Sequence, residues 1–248
     1  MELHLSQDPE ADALLSKSPF ALVVGMVLDQ QVPLEWAFAS PLELQRRLGK
    51  ALDAKRIAHM DPEALATAFS SRPALHRYPG SMATRVQEVA KLVVDRYGGK
   101  TEAIWTGATT GAELLGRVKE LPGFGEQKAK IFVALLGKQL GVRPQGWEEV
   151  SAPFSDPDTF RSVADITDTD TLDKVRAFKQ ALKAANKAKS PPEKAATPTK
   201  KARRPGKATA PAASGPNKKA AASKATATTR AKTATRTRTP ASASAGKR

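Results

Sequence analysis

An all-α fold follows from three features of the sequence. Helix start and stop signals recur along residues 1–185, apolar residues there fall at helical spacing, and no stretch keeps a sustained period-two alternation. Some ten short helices with short connections are expected.

Ser18-Pro19 fits an N-cap followed by a first-turn proline, and the nearly all-apolar residues 20–28 then form a central buried helix. SPLE at Ser40, Pro41, Leu42 and Glu43 reads as a capping box that opens a helix stopped by Gly49. Asp61-Pro62 starts another. Residues 81–97 place Met82, Val86, Val89, Ala90 and Val93 on one helical face, and Gly98-Gly99 ends it. TGAE at Thr110 to Glu113 is a second capping box, opening a helix to Glu120 or Leu121. A further helix covers residues 126–140, and a last one residues 172–183.

Charge divides the chain in two. Of 248 residues with net charge +15, residues 186–248 hold 17 Lys and Arg against one acid, Glu193, a net +16; residues 1–185 keep 23 basic and 24 acidic residues, a net −1. The basic stretch is Ala, Lys, Thr, Pro, Ser and Gly without an aromatic residue, so it has little with which to offset the entropy of ordering. A disordered tail is expected there, resembling those of linker histones and basic nucleoid proteins. Such a tail adds salt-sensitive, sequence-blind contacts to DNA phosphates; a solubilising role, or contact with RNA or acidic proteins, is the plainer alternative.

Composition also excludes chemistry. With no cysteine, disulfides, thiolate zinc sites and cysteine-ligated iron–sulfur clusters are ruled out. No apolar run reaches the roughly 20 residues a bilayer span needs, and residues 1–17 are mixed and acidic rather than a signal segment. A soluble, cytoplasmic and nucleoid-associated monomer is expected.

The most informative stretch is LPGFGEQKAKIFVALLGKQLGV, residues 121–142. Gly123 and Gly125 flank Phe124, allowing positive φ and leaving backbone N–H groups uncovered just where a helix begins. The positive end of that helix and its unpaired amides make a phosphate cradle. Phe124 is expected to point inward and pin the loop, with Lys128 and Lys130 supplying charge beside it. A plain turn between two helices has the same local sequence.

LPGFGEQKA resembles the LPGVGxxTA hairpin of the helix-hairpin-helix DNA glycosylase superfamily, which includes endonuclease III and the adenine and alkylpurine glycosylases. FALVVGMVLDQQVP, residues 20–33, is similar to the family's buried helix ending in a Gln-containing turn, and YPGSMATRVQEVAKLVVDRYGG to the helix preceding the hairpin. The resemblance spans roughly residues 19–147 and implies two helical lobes with double-stranded DNA across their cleft. It implies that Gln31 or Gln30 wedges into the duplex where a nucleotide has flipped out, and that Gly123, Phe124, Gly125, Gln127, Lys128 and Lys130 meet DNA. It also implies a monovalent cation, K+ or Na+, on the backbone carbonyls of Lys119, Leu121 and Phe124, and no other cofactor.

Two departures stand out. The family's catalytic aspartate falls about 24 residues after the hairpin leucine, which here is Gln145; the lysine nucleophile of bifunctional members falls on Gln127. Lyase chemistry by that lysine is therefore not expected. Three extra loop residues bring Glu148 near the aspartate's place, so Glu148 is the first candidate carboxylate, Glu149 its neighbour and Asp165 an outsider. Trp147 is a candidate to stack on a base, and Asp29 a candidate polar group of the base pocket. The absence of cysteine matches the cluster-free branch.

Two functions follow from these readings. One is a monofunctional DNA N-glycosylase of base-excision repair; the other is a non-catalytic DNA-binding protein, a lesion sensor or nucleoid-associated factor, on the same scaffold.

Overall fold

Five of the helices begin where a side chain satisfies one or more of their first free amides. The computed structural model describes residues 2–189, which belong to one unit, Met1–Lys194. Asp8 caps α1 (Pro9–Lys17) and the Ser18 hydroxyl caps α2 (Pro19–Leu28) by accepting from Ala21 N. Asp53 opens α4 (Ala54–Ala58) and Asp61 opens α5 (Pro62–Ser70) in the same way. Long α6 (Pro79–Tyr97) stops at Gly98. After α7 (Ala103–Thr106), Thr110 caps α8 (Gly111–Lys119), and then come α9 (Glu126–Gln139), α10 (Trp147–Ser151), a 3-10 turn (Val163–Asp165) and α11 (Thr169–Lys189). Among the described residues there is no strand beyond one isolated bridge between Thr110 and Gln145. The fold is all-α.

Several boundaries differ from the expectation. Ser40 does not open a helix: α3 runs unbroken over Leu34–Leu48 with Pro41 inside it, ending at Gly49. The Ser40 hydroxyl instead donates to the carbonyls of Trp36 (2.8 Å) and Leu75 (2.9 Å), the second a tertiary contact that local pattern cannot foresee. At Thr110 only half of the capping box forms, because the Glu113 carboxylate accepts from the amide and hydroxyl of Thr109. The last helix starts at Thr169 rather than 172 and passes the expected domain boundary at 185 to reach Lys189. The basic stretch beyond, expected to be disordered, lies outside the described residues.

The helices pack in two groups. α1, α2 and α3 contact one another and α6 holds α4 and α5, with α2 touching α6; in the second group α9 packs on α8, α10 and the 3-10 turn, which in turn contacts α11. One continuous apolar core joins them. α2 is buried along nearly its whole circumference, from Phe20 to Leu28, which its apolar sequence requires. No single described helix is long and apolar enough to cross a membrane.

Gly137 of α9 lets Trp147 of α10 approach. A Cβ there would meet the indole at 2.2 Å, and Trp147 is only 9% exposed. Gly137→Ala should therefore lower unfolding free energy by about 1–3 kcal/mol through overpacking, seen as a lower urea midpoint at unchanged slope. A midpoint equal to that of the parent would show that the Trp147 contact is not tight.

Candidate functional site

The turn between α8 and α9 is built from its backbone outward. The Phe124 amide donates to the Leu121 carbonyl at 3.0 Å, and Gly123 takes φ +88°, a conformation that an L side chain rarely adopts. A Cβ at Gly123 would also meet Arg85 Cδ at 2.5 Å. Phe124 points inward as expected, 5% exposed, its ring edge-on to Phe132 at 5.7 Å, and Phe132 stands edge-on to Trp105. The aromatic chain fixes the turn to the core.

Gly125 is the N-cap of α9, and no side chain caps the helix start. The amides of Glu126, Gln127 and Lys128 precede the first closed turn, in which Ala129 N donates to Gly125 O. Gly125 and Gln127 are exposed there. The charges beside this end are arranged differently from the expectation. Glu126 pairs with Lys119 and, at 3.7 Å, with Lys130, and these contacts, the Lys119 hydrogen bond first, hold its carboxyl below the usual range. Lys130 therefore does not stand as a free cation.

Lys128 turns the other way. Its ammonium donates to the carbonyls of Met26 (2.6 Å) and Val27 (3.3 Å), two of the terminal carbonyls of α2, and lies 5.8 Å from the Phe124 ring centre. The negative end of α2 favours a cation there. Burial nevertheless pushes the Lys128 ammonium down to about 8; Asp29 opposes this shift and Arg85 adds to it. Lys128 is thus a staple between α9 and α2 rather than a charge presented beside the turn.

The Gln turn lies at the same end of α2. Gln30 is held on every side: its amide donates to Val27 O (2.7 Å) and Met82 Sδ (3.4 Å), its Oε1 faces Arg85 Nη1 at 3.5 Å, and its backbone carbonyl accepts from His76 Nε2 at 2.8 Å. His76 Nδ1 accepts the Tyr78 amide at 3.0 Å, which leaves Nε2 to donate to the Gln30 carbonyl. At 1% exposure, His76 clamps the turn from beneath. Gln31, by contrast, is exposed and takes φ +58°. Of the two glutamines, only Gln31 is free to reach outward.

A cleft of about 350 Å3 opens between these elements, lined by Met26, Asp29, Gly123, Gly125, Gln127, Lys128 and Ile131. Asp29, the C-cap of α2, also borders a wider groove of about 820 Å3 toward Glu35 and the Arg176 and Lys179 of α11. The structure thus gathers Asp29, Gly123, Gly125, Gln127 and Lys128 around one opening, while Phe124 is buried in the core and Gln30 and Gln31 follow Asp29 in the chain without lining the cleft.

It does not bring the other candidates there. Glu148 and Glu149 are exposed on α10, which packs by Trp147 on Gly137; that contact lies about 17 Å along α9 from its start at 1.5 Å per residue. Trp147 is a core residue with Arg143 over its ring, not an open stacking surface. Asp165 is buried, pairs with Lys138 at 2.5 Å and accepts the amides of Arg161 and Ser162, so its oxygens are committed to a turn. Of the three carbonyls expected to hold a cation, that of Leu121 already accepts the Phe124 amide. Sequence reasoning missed His76 and Arg85, which lie 46 and 55 residues from Gln30 and carry no local signature.

Because the folded Lys128 loses its proton near pH 8 and an unfolded lysine near 10.5, the unfolded chain binds more protons between these values, and stability rises with pH there. Relative to Lys128→Met, the parent chain should gain stability as urea unfolding is moved from pH 8 to pH 10.5; a constant difference would show that the ammonium is not desolvated. No protein-family model, no curated protein and no solved structure matches this chain.

Proposed function

We propose that this chain is a base-excision DNA repair protein, a monofunctional DNA N-glycosylase that flips a damaged base from double-stranded DNA and hydrolyses its N-glycosidic bond. The observation that carries the reading is the turn at Gly123 to Gly125: anchored by Phe124, it presents a helix start with no side-chain cap beside a cleft that holds a carboxylate. Such a helix start takes a DNA phosphate. The two groups of helices support a two-lobed helix-hairpin-helix glycosylase fold with the duplex across their junction. Gln31 supplies the wedge, and the basic tail adds phosphate contacts from a monomer that works on the nucleoid. A K+ or Na+ ion on the hairpin carbonyls belongs to the same proposal.

Within the cleft, Asp29 is the carboxylate best placed for chemistry. As the glycosidic bond breaks, its electron pair goes to the leaving base and positive charge develops on the sugar; a carboxylate stabilises that charge and orients the water whose oxygen bonds to C1′, and the proton that this water releases ends on the departing base. Gln127 offers no amine, and the Lys128 amine is engaged by Met26 O and Val27 O, so no covalent Schiff base is assigned. A non-catalytic lesion sensor is the second reading, favoured by the distance of Glu148 and Glu149 from the cleft.

Excision on duplexes bearing uracil, alkylated purines, 8-oxoguanine mismatches or thymine glycol, with alkali to cut abasic sites, separates the readings. Strand breakage should appear only after alkali, and Asp29→Asn should reduce it by roughly 100-fold or more, whereas Glu148→Gln should not. Full activity in Asp29→Asn would remove Asp29 from the chemistry and return Glu148 to first place. Tight binding without release of any base would favour the sensor.

A further inference from the structure

A second hollow, of about 260 Å3, lies on the far side of Gln127 and Ile131, the two residues it shares with the Asp29 cleft. Its walls are apolar: Ile131 from α9, Pro153 and Phe154 from the segment after α10, and Phe178 and Leu182 from α11. Phe178 is 37% and Leu182 50% exposed, so large apolar side chains edge an open hollow. Its polar lining is Gln127, Arg161 and Lys179, with no carboxylate. Arg161 stands over the Phe178 ring at 5.9 Å and pairs with Asp156 at 3.6 Å; Lys179 makes no ion pair among the described residues.

We propose that this hollow receives the extruded base, and that it admits an uncharged base while rejecting a cationic one. The inference rests on the reading of the chain as a DNA repair protein and names the substrate class of that site. The hollow is smaller than the roughly 300 Å3 at which pockets for drug-sized ligands begin, a size suited to one planar ring system. Phe154 and Phe178 put two aromatic rings in the wall against which a base can stack, with Arg161 over one face of Phe178. Gln127 carries both a donor and an acceptor for the polar edge of the base. Charge decides the rest. An N-alkylated, cationic purine would meet the Lys179 ammonium, unpaired among the described residues, beside an Arg161 whose charge Asp156 partly offsets, in a partly desolvated hollow whose lining holds no carboxylate. A neutral base escapes that repulsion, and the same two cations attract the phosphates on either side of it.

The test uses the full chain and duplexes that differ at one central base: uracil or hypoxanthine as uncharged lesions, 7-methylguanine as the cationic one, and an intact pair. Affinity for each is measured at one salt concentration. The expected result is that uncharged lesions bind at least about tenfold tighter than the intact pair, as one base–aromatic stack would give, and that 7-methylguanine gains nothing. Phe178→Ala, which trims an exposed side chain, should collapse the ratio of lesion to intact binding. Lys179→Glu, also at the surface, should shift the preference toward 7-methylguanine. A preference of the parent for 7-methylguanine, or an undiminished ratio in Phe178→Ala, overturns the pocket. Equal binding to all duplexes overturns it too, while leaving a DNA-binding protein in place. No binding to any duplex overturns the repair reading itself.

Discussion

The contact between the Lys128 ammonium and the last carbonyls of α2 is the interaction on which the candidate site depends. It joins residues about a hundred positions apart and ties the positive start of one helix to the negative end of another. A lysine in this place meets two opposing demands. Burial favours its neutral form, whereas the two carbonyls and Asp29 favour the charged one. Because burial is the larger influence, the group sits near the edge of ionisation, and the cleft holds one cation that can be lost at mildly alkaline pH.

Around that staple, polar groups that would be costly if left unpaired are paired. No buried side-chain nitrogen or oxygen among the described residues lacks a partner. Gln30 uses both ends of its amide and His76 both ring nitrogens, so the turn at the end of α2 is rigid up to Gln30. Only then does the chain turn outward at Gln31, with positive φ, before Pro33 leads into α3. The exposed Gln31 thus stands on a fixed base. The hairpin is organised alike, with Phe124 fixed and Gly125 open.

Much of this fold was legible in the sequence because its signals are local. Ser18, Asp61 and Thr110 cap the helices that they were expected to cap, and Gly49 and Gly98 end theirs, since capping depends on residues three or four positions apart. Ser40 is not a cap because α3 already runs through it from Leu34, and its hydroxyl donates to Trp36 O one turn back and to Leu75 O, a contact outside any local window. The site was legible in part. Phe124 and the exposed glycine turn follow from the motif, but the direction of Lys128 depends on where α2 ends in space. Counting along a loop placed Glu148 near the expected carboxylate; packing of Trp147 on Gly137 instead fixes α10 toward the other end of α9. Asp29 was named only as a pocket residue, and its place opposite Lys128 is a tertiary fact.

The central claim is that the first turn of α9 and the turn at Gln31 form one DNA-facing surface. Hydrogen–deuterium exchange of the full chain, with and without duplex DNA, tests it most directly. Exchange should slow at residues 123–128 and at residues 30–32 together, with protection rising in step as duplex is added. Protection confined to residues 186–248, or centred on α4 and α5, with the hairpin amides unaffected, would contradict it.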